Sequence, residues 1–473
     1  MLSAIVGIDI GTTNIKVIAF SKEGKLILAL NKKNIIYKSN GYFALDGEYI
    51  LQNILAMLKQ LIARNIKIES IGISSLAETV FPVFNTDINF TRSMIWYDRK
   101  TNKNKERFFR KIKEKDFFNI TGLKPQFLYS IFKLDWYYEH ENEVFSKAEK
   151  WLPANSYLGY QLTGARYIDY TMLSRTGALD IKKKTWSDKI FSLLPFSEGV
   201  FPDFINSGER IGFLKKEYKN FLGIDYDVPV SLGGHDHICG NYAVAFLQGN
   251  NLILDSMGTA ENIQAIVNLK DINLVKLAEK GLFMGLHVVP DKAYVYKAFH
   301  YSGAVVNNLI SLFFNKVITE INEEDFDRFI KEANDYNGKE TKIGFFIEDN
   351  KDYFVSDENF MHGINILNIP LNTKRGEVFM AGIRYLSEKS KKIIYDLEGI
   401  TGVKSEVIAI GGSTRNRLFM EEKARILKRN LYINRVEEAV TLGAALLGGI
   451  GAGIFRDYGE AVANINREKI KVL

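Results

Sequence analysis

Apolar runs and short polar turns alternate through the first thirty residues, and this pattern predicts a meander of three strands. The strands are expected at residues 4–9, 15–20 and 25–30, with a turn at residues 11–14 between the first two. The glycine turn therefore leads from one strand into another. A P-loop would lead from a strand into a helix, so the pattern argues against a P-loop here.

The same strand, turn and strand return in the second half of the chain. Residues 252–255 and 261–267 are predicted strands, and the turn at residues 256–259 between them again carries a Gly-Thr pair. We interpret this repeat as a weak internal duplication with one glycine turn in each half. A chain of 473 residues is also long for a single core. The sequence therefore predicts two domains, residues 1–240 and residues 241–473.

The rest of the chain alternates between helices and strands, which is typical of an α/β fold. Apolar residues at helical spacing predict a helix at residues 48–63, and helices are expected to dominate residues 103–160. The other predicted elements are strands at residues 70–74, 80–84, 406–410 and 431–433 and helices at residues 375–398, 417–427 and 437–449.

Composition limits the classes of function. Charged residues make up 25% of the chain, and 62 basic against 56 acidic side chains give a formal charge of +6 that is spread along the sequence. A nucleic-acid-binding protein more often concentrates its basic residues in one stripe, so no nucleic-acid partner is expected. The lysines of residues 100–115 are interrupted by Glu and Phe, and we interpret them as the solvated face of a helix.

Neither a membrane segment nor a disulfide is expected. The N-terminus has no basic region and no cleavage-like site, so it is interpreted as a strand. The weakly polar run at residues 441–455 is shorter than the roughly 20 residues that span a bilayer and is predicted to be a buried helix. The single cysteine, Cys239, can form neither an intrachain disulfide nor a cysteine-based zinc cluster. A buried Cys239 and a cytoplasmic location are expected.

The first glycine turn has the chemistry of a phosphate site. Gly11, Thr12 and Thr13 offer backbone N–H groups and hydroxyls to phosphate oxygens. Asp9, at the end of the preceding strand, could hold Mg²⁺, which prefers oxygen ligands. Lys16, on the returning strand, could reach the phosphates. The alternative is an ordinary hairpin with a turn-favouring aspartate.

Two glycines at residues 233–234 precede an aspartate that is flanked by two histidines. An alcohol hydroxyl is a weak nucleophile and needs a carboxylate within hydrogen-bonding reach to accept its proton. Asp236 is the candidate for this base, with His235 and His237 on either side. The alternatives are a turn aspartate with solvent-facing histidines, or a His-x-His metal site, for which no third ligand is evident nearby.

Two further glycine turns could contact an anionic ligand. Gly258 and Thr259 repeat the first turn in the second half of the chain. Gly411 and Gly412 end a predicted strand and a helix begins near Asn416, so a ligand could lie against the backbone at a helix N-terminus. A lone Gly-Gly pair is weak evidence for a ligand site, because strand-to-helix turns with a purely structural role also use it.

These four elements, in this order and at these separations, resemble the motifs of the FGGY family of carbohydrate kinases. Residues 96–99 resemble the family's Trp-x-Asp/Cys-x-Arg segment, residues 121–122 with residues 133–136 resemble a signature stretch, and residues 441–445 resemble the end of the adenosine site. The resemblance covers essentially the whole chain. It implies the actin-like ATPase (ribonuclease H-like) α/β fold, with two related domains around a nucleotide cleft.

The resemblance also implies roles for individual residues. Residues 1–240 would bind the sugar and residues 241–473 the adenosine, with Asp236 as the general base, Asp9 as the carboxylate for Mg²⁺, and ATP as the phosphoryl donor. The expected ATP-binding residues are Thr12, Thr13, Lys16, Gly258, Thr259, Gly303, Asn307, Gly411, Gly412 and Asn416. The expected substrate-binding residues are Ala77, Glu78, Trp96, Asp98, His235, Asp236 and His237.

The sequence departs from the family pattern in two places. Glycerol kinase has an Arg-Glu pair in the first sugar loop and xylulokinases favour Met-His, whereas this chain has Ala77 and Glu78. The missing arginine makes glycerol a less favoured substrate. The Pro- and Gly-rich segment of the second domain is replaced by residues 345–367, which the sequence does not explain. The lone histidines assigned to packing or surface positions are His287, His300 and His362.

The resulting expectation is an ATP-dependent kinase that phosphorylates a hydroxyl of a small sugar or polyol. Ketopentoses and ketohexoses such as xylulose, fuculose and tagatose are favoured, with glycerol- or erythritol-type polyols as the alternative. Two alternatives of another class are an actin-like ATPase without a sugar substrate and a degenerate kinase homologue that senses sugar. A small molecule is the expected partner, and a homodimer is one expectation because members of the family are often dimers.

Overall fold

The computed structural model describes residues 2–85, 90–246, 252–299, 301–316, 318–347, 364–402, 404–463, 465 and 468–473. These residues form two lobes, each built around one mixed β-sheet that is covered by helices. In this part of the chain, no helix combines the length and the apolar character needed to cross a bilayer.

The strands are numbered in chain order. They are β1 Leu2–Ile10, β2 Asn14–Phe20, β3 Leu26–Lys33, β4 Tyr37–Ser39, β5 Tyr42–Asp46, β6 Ile66–Ser75, β7 Val80–Val83, β8 Arg92–Met94, β9 Lys150–Pro153, β10 Tyr167–Asp169, β11 Leu179–Asp180, β12 Thr185–Trp186, β13 Asp203–Ile205, β14 Arg210–Phe213, β15 Pro229–His235, β16 Leu252–Met257, β17 Glu261–Asn268, β18 Phe283–Leu286, β19 Lys292–Phe299, β20 Gly344–Ile347, β21 Ile364–Leu367, β22 Glu406–Ile410, β23 Leu431–Asn434 and β24 Lys469–Lys471.

The α-helices are numbered in the same way, and short 3₁₀ turns lie between some of them. They are α1 Gly47–Ala63, α2 Asn102–Phe109, α3 Glu114–Thr121, α4 Ser130–His140, α5 Asn142–Lys147, α6 Ala154–Thr163, α7 Tyr170–Leu173, α8 Asp188–Phe191, α9 Lys216–Leu222, α10 Asp236–Ala245, α11 Leu274–Lys280, α12 Gly303–Phe314, α13 Glu323–Asn334, α14 Arg375–Thr401, α15 Arg417–Leu427, α16 Ala439–Gly451 and α17 Tyr458–Ala463.

The first lobe is built on a six-stranded sheet with the order β14-β15-β6-β1-β2-β3. β1 runs antiparallel to β2, with Asp9 opposite Lys16, and parallel to β6, with Asp9 beside Ser74. β6 in turn runs parallel to β15. The predicted three-stranded meander is therefore confirmed, and its glycine turn joins two antiparallel strands.

The second lobe repeats this arrangement in a seven-stranded sheet with the order β18-β19-β17-β16-β22-β23-β24. β16, β17 and β19 form an antiparallel meander like β1 to β3, while β16, β22 and β23 run parallel like β1, β6 and β15. The duplication that the two Gly-Thr turns indicate is thus visible in the order and sense of the strands. The domain boundary at residue 240 stays a prediction.

Helix α16 lies between β23 and β24 of the second sheet in sequence, but it packs on the sheet of the first lobe, against β1, β6 and β15. The backbones come very close because glycines stand at the contact. A Cβ atom on Gly72 would lie 1.8 Å from the carbonyl oxygen of Ala444, and one on Gly7 would lie 1.9 Å from that of Thr441. Helix α10 packs beside α16, so two helices connect the lobes.

One sequence prediction about local structure is wrong, and one unexplained segment lies only partly within the described residues. The basic stretch at residues 100–115 is not one helix, because α2 ends at Phe109 and α3 begins only at Glu114. The unexplained segment at residues 345–367 begins and ends in β20 and β21, which pair antiparallel. Residues 348–363, between those strands, lie outside the described residues.

The expectations for the cysteine and the lone histidines have mixed outcomes. Cys239 and His287 are buried, as expected. Burial also lowers the pKa of His287 to about 3, so its imidazole is neutral and serves packing. His300 and His362 lie outside the described residues.

We expect the substitution Gly72→Ala to destabilise the protein by roughly 3 kcal/mol, since the new methyl group would force α16 away from β6. Thermal unfolding followed by circular dichroism would measure the loss. The matched control is Gly399→Ala on the exposed surface of α14, where a Cβ atom meets nothing within 4 Å.

Alanine at the control position should stabilise the helix slightly, by about 0.5–1 kcal/mol, because alanine loses less backbone entropy than glycine on folding. A Gly72→Ala protein with the melting temperature of the wild type would contradict the close approach of α16 to the first sheet.

Candidate active site

The carboxyl ends of three parallel strands bring two aspartates to one edge of the first sheet. Asp9 lies beside Ser74, and His235, the last residue of β15, lies beside Ser75. Asp236 follows as the first residue of α10. The alternative of a turn aspartate is wrong, because Asp236 begins a helix at the edge where α/β sheets commonly bind ligands.

Asp9 is a carboxylate in an unfavourable electrostatic position. Burial raises its pKa to about 7, and the nearby negative charge of Asp236 adds to the shift. The hydroxyl of Ser74 lies 3.1 Å from Asp9 Oδ1, and its hydrogen bond partly offsets the rise in the pKa of Asp9. Among the described residues, Oδ2 of Asp9 accepts no hydrogen bond. The carboxylate is therefore poised to take up a proton or a cation.

Asp236 is held by its two histidine neighbours. Its Oδ1 accepts a hydrogen bond of 2.5 Å from the backbone N–H of His237 and lies 3.2 Å from Nε2 of His235. Burial lowers the pKa of His235 well below its usual range, with the neighbouring His237 and Arg175 adding to the shift. The His235 imidazole is therefore neutral, and it lies beside Asp236 as an uncharged ring rather than as a cation.

The first glycine turn is fixed by a residue that the sequence analysis did not single out. The side-chain amide of Asn34, which is 4% exposed, donates to the carbonyl oxygen of Gly11 at 2.8 Å, and its backbone N–H donates to that of Thr13. Thr12 Oγ1 accepts a hydrogen bond of 3.0 Å from the indole N–H of Trp96. One predicted substrate residue and one predicted phosphate residue are thus in direct contact.

Lys16, predicted to reach the phosphates, is paired with a second residue that the sequence analysis missed. Its Nζ lies 2.6 Å from Oε2 of Glu438. Glu438 precedes α16 in a left-handed conformation with φ of 51°. Its charge also contributes to the raised pKa of Asp9, so Lys16 and Glu438 border the same edge as the two aspartates.

The loop that carries Ala77 and Glu78, which the sequence predicts to bind the sugar, takes its shape from Glu78. This residue has a left-handed φ of 64° and is 7% exposed, and such a conformation in a residue other than glycine is costly and typical of functional sites. Its Oε1 accepts a 2.7 Å hydrogen bond from Nε of Arg175, which the sequence analysis did not identify. Ala77 instead points into the core shared by the two lobes.

Asp98 and Lys133 hold the neighbouring loop. The carboxylate of Asp98, which is 6% exposed, accepts hydrogen bonds from the backbone N–H groups of Phe43 and Lys100. Its observed role is to fix the loop, and substrate contact stays a prediction. Lys133 is buried and donates to the carbonyl oxygen of Trp96; burial lowers its pKa to about 7, opposed by the charges of Glu78 and Asp98.

The second glycine turn meets two other predicted nucleotide positions. The carbonyl oxygen of Gly258 accepts hydrogen bonds from the backbone of Gly303 and the hydroxyl of Ser413, and that of Thr259 accepts from Ala304. Gly411, with φ of 98°, lies so close that a Cβ atom would be 2.5 Å from the carbonyl oxygen of Met257. The ends of β16 and β22 and the start of α12 thus form one backbone surface.

A cluster of buried charged side chains lies next to this backbone surface. Lys423, Asp255 and Glu261 have no exposed side-chain surface, and the Lys423 ammonium contacts both carboxylates, with 2.7 Å to Glu261. Glu261 also accepts a 2.7 Å hydrogen bond from Ser302, the residue before α12. Asp255 lies in β16 one residue before Ser256, and it shares the single Lys423 ammonium with Glu261; burial and the charge of Glu261 raise the pKa of Asp255 to about 7.

The remaining predicted nucleotide residues lie at the rim of this surface. Asn307 is exposed on α12, one turn after Gly303, and Gly412 is exposed after β22. Oδ1 of Asn416 accepts the backbone N–H of Phe419 and so caps α15. That cap explains Asn416 structurally, and its contact with a ligand stays a prediction.

Residues 4–243 match the model of the N-terminal domain of the FGGY family of carbohydrate kinases, and residues 266–452 match that of the family's C-terminal domain. The relatives similar over nearly their whole length include three sugar or polyol kinases. They are xylulose kinase of Staphylococcus xylosus (22% identical, covering 97% of this chain and 93% of that protein), L-fuculokinase of Escherichia coli (24%, 98% and 95%) and glycerol kinase of Thermococcus gammatolerans (27%, 98% and 91%).

Solved structures share the fold over the whole chain. The xyloylose kinase of Brucella ovis superposes with a TM-score of 0.85 at 16% identity, covering 99% of this chain and 93% of that one. Plasmodium falciparum glycerol kinase with ADP gives a TM-score of 0.83 at 18% identity, covering 99% and 94%. The actin-like ATPase fold predicted from the sequence is therefore confirmed.

The raised pKa of Asp9 generates a prediction about stability and pH. Because the folded pKa of about 7 lies above the unfolded value of 3.8, the folded state loses stability as pH rises between these values, and above pH 7 the buried charge is fully unfavourable. Asp9→Asn should therefore raise the free energy of unfolding at pH 8 by on the order of 2 kcal/mol and have little effect at pH 4.

Thermal unfolding of both proteins from pH 4 to pH 8 would test this. The matched control is Asp225→Asn on the exposed surface of the first lobe, for which the difference from the wild type should not grow with pH. An Asp9→Asn protein less stable than the wild type at pH 8 would contradict the electrostatic assignment.

Proposed function

The chain belongs to the FGGY family of carbohydrate kinases, phosphotransferases whose acceptor is an alcohol group, and from this premise we propose a specific reaction for it. In this proposal the protein transfers the γ-phosphoryl group of ATP to a hydroxyl of a small ketose. Residues 1–240 bind the acceptor, and residues 241–473 bind the adenosine part of the nucleotide.

The observation that carries the proposal is the position of Asp236. It stands at the carboxyl edge of the first sheet beside Asp9 and next to the Gly-Thr turn between β1 and β2. A carboxylate at this place can accept a proton from an alcohol that faces a triphosphate held at that turn. Such a base is what phosphoryl transfer to a weak nucleophile requires.

The acceptor hydroxyl gives its proton to the carboxylate of Asp236 while its oxygen forms a bond to the γ-phosphorus. The bond between that phosphorus and the β–γ bridging oxygen breaks, and ADP leaves. Thr12 and Thr13 in the first lobe and Gly258 and Thr259 in the second lobe offer hydrogen-bond donors to the phosphate oxygens.

The remaining nucleotide contacts follow from the backbone surface of the second lobe. Gly303, Gly411 and Gly412 leave room for a ligand to approach the main chain. Asn307 and Asn416 stand at the rim of this surface and could contact the base or ribose. Lys16 would turn from Glu438 toward the phosphates when the triphosphate is bound.

Asp9 fits a magnesium ion. Mg²⁺ in phosphoryl-transfer sites is usually held by one or two carboxylates together with substrate phosphates and waters. Asp9 supplies one such carboxylate, with Oδ2 free of hydrogen bonds within the described residues; burial, and after it the charge of Asp236, raise its pKa, and a bound cation would stabilise the charged form. When bound, the ion would offset negative charge on the phosphates during transfer.

The acceptor class rests on the polar groups around Asp236. Glu78 and His235 can exchange hydrogen bonds with several hydroxyls, and Trp96 can cover an apolar face of a sugar. Ala77 stands where glycerol kinase has an arginine, and without that arginine glycerol is a less favoured acceptor. The names of the relatives, xylulose kinase, L-fuculokinase and glycerol kinase, span ketoses and a polyol, so we favour a ketopentose or ketohexose such as xylulose, fuculose or tagatose over a polyol such as glycerol or erythritol.

The experiment combines a substrate panel with one substitution. ADP release is measured with D-xylulose, L-fuculose, D-tagatose, gluconate, glycerol and erythritol, and we expect at least one ketose to be the best acceptor. Asp236→Asn should then lower kcat by roughly 10²–10⁴-fold with little change in ATP affinity, because the base is lost but the phosphate turns remain.

The matched control is Asp225→Asn, which makes the same change at an exposed site of the first lobe and should keep wild-type turnover. Near-normal kcat in Asp236→Asn would remove the base assignment. ATP hydrolysis that no sugar or polyol changes would favour an actin-like ATPase instead, and acceptor binding without turnover would favour a sugar sensor.

A further inference from the structure

Arg175 makes polar contacts to both lobes. Its Nε and Nη2 both lie within hydrogen-bonding distance of Glu78 Oε1, at 2.7 and 2.5 Å, and its Nη1 donates to the phenol oxygen of Tyr296 at 3.0 Å. Glu78 belongs to the sugar loop of the first lobe. Tyr296 belongs to β19, in the sheet of the second lobe. One guanidinium thus bridges the proposed acceptor pocket and the nucleotide lobe.

The ion pair between Arg175 and Glu78 is buried. Arg175 and Glu78 are 8% and 7% exposed, so neither charge can be left to water if the other moves. Within the described residues, Oε1 of Glu78 takes both bonds from Arg175, while Oε2 accepts none. The guanidinium therefore fixes one oxygen of the carboxylate and leaves the other for a hydroxyl of the acceptor.

The segment that carries Arg175 is itself tied to the base. Asp169 caps the short helix α7 and accepts hydrogen bonds from Asn155 and from the backbone of Thr171. The hydroxyl of Thr171 in turn accepts the backbone N–H of His235 at 2.8 Å. The start of α7 is thus fixed next to Asp236, and Arg175 follows its end beside Glu78. One segment sets the positions of both the base and the sugar loop.

Tyr296 stands in a wider contact between the lobes. The backbone N–H of Leu286, on β18, lies 3.3 Å from the hydroxyl of Ser174, and that of Met284 donates to the carbonyl oxygen of Gly122 at 3.0 Å. Tyr296 is therefore held at this contact by its own sheet and by its neighbours. Its phenol can fix the guanidinium from the second lobe.

We propose that Arg175 is a positioning residue that orients Glu78 for the acceptor and that Tyr296 of the nucleotide lobe is required for this orientation. The inference rests on the function proposed above. It has an unusual consequence: a residue in the sheet of the nucleotide lobe controls affinity for the sugar and not affinity for ATP. A purely structural ion pair would change the melting temperature without this selectivity.

The test uses the full-length enzyme and the best acceptor found among D-xylulose, L-fuculose and glycerol. Tyr296→Phe removes only the phenol oxygen and should raise the KM for the acceptor about 3- to 10-fold, since a hydrogen bond to a charged group is lost. The KM for ATP should stay within about twofold of the wild-type value. Arg175→Lys should raise the acceptor KM further, because an ammonium cannot make all the contacts of the guanidinium.

Two controls sharpen the result. Tyr226→Phe removes a phenol that accepts a hydrogen bond from the backbone of Ile68, near the start of β6 and away from its carboxyl end, and should leave both KM values unchanged. In the second control, Tyr296→Phe is combined with Glu78→Gln. If Tyr296 acts through Glu78, the double variant should have the same acceptor KM as Glu78→Gln alone.

The inference is overturned if Tyr296→Phe leaves the acceptor KM unchanged, if it raises the KM for ATP by the same factor, or if its effect simply multiplies that of Glu78→Gln. These outcomes require an active wild-type enzyme. A wild type that phosphorylates none of the acceptors would overturn the proposed function as well, so the two failures are distinguishable. Loss of folding in Arg175→Lys leaves the Tyr296→Phe measurements decisive.

Discussion

Asp9 and Asp236 are close together because β1, β6 and β15 run parallel and end at the same edge of one sheet. Burial of the Asp9 carboxylate raises its pKa, and the negative charge of Asp236 raises it further. Among the described residues, no lysine or arginine side chain forms an ion pair with either aspartate. The first sheet thus keeps an uncompensated charge where a cation and a hydroxyl proton can be bound.

The two lobes are connected by more than the chain that joins them. Helix α16 from the C-terminal part lies against the first sheet because glycines allow direct backbone contact, and the Lys16–Glu438 pair stands where that helix begins. Arg175 makes a second connection, from the sugar loop to β19. The edge that holds the aspartates is therefore bordered by side chains from both lobes.

Several residues that carry a motif in the sequence turn out to have structural partners. Asp98 accepts two backbone hydrogen bonds, Asn416 caps α15, and Ala77 packs in the shared core. Sequence spacing identifies the loop in which such a residue lies but not the direction of its side chain. Asn34, Arg175 and Glu438 were missed for the complementary reason: they lie 23, 97 and 422 positions from the groups they contact, and no local pattern marks them.

Local alternation in the chain is enough to predict the strand-turn-strand repeat, the two-lobed α/β fold and the glycine turns, because each depends on backbone conformations that nearby residues dictate. The motifs also indicate Asp9 and Asp236 as candidate carboxylates of the site. Three contacts become visible only in the folded protein: α16 on the first sheet, Lys16 with Glu438, and Arg175 with Glu78. These contacts join residues far apart in the chain, and packing and charge compensation select them only once both sheets have formed.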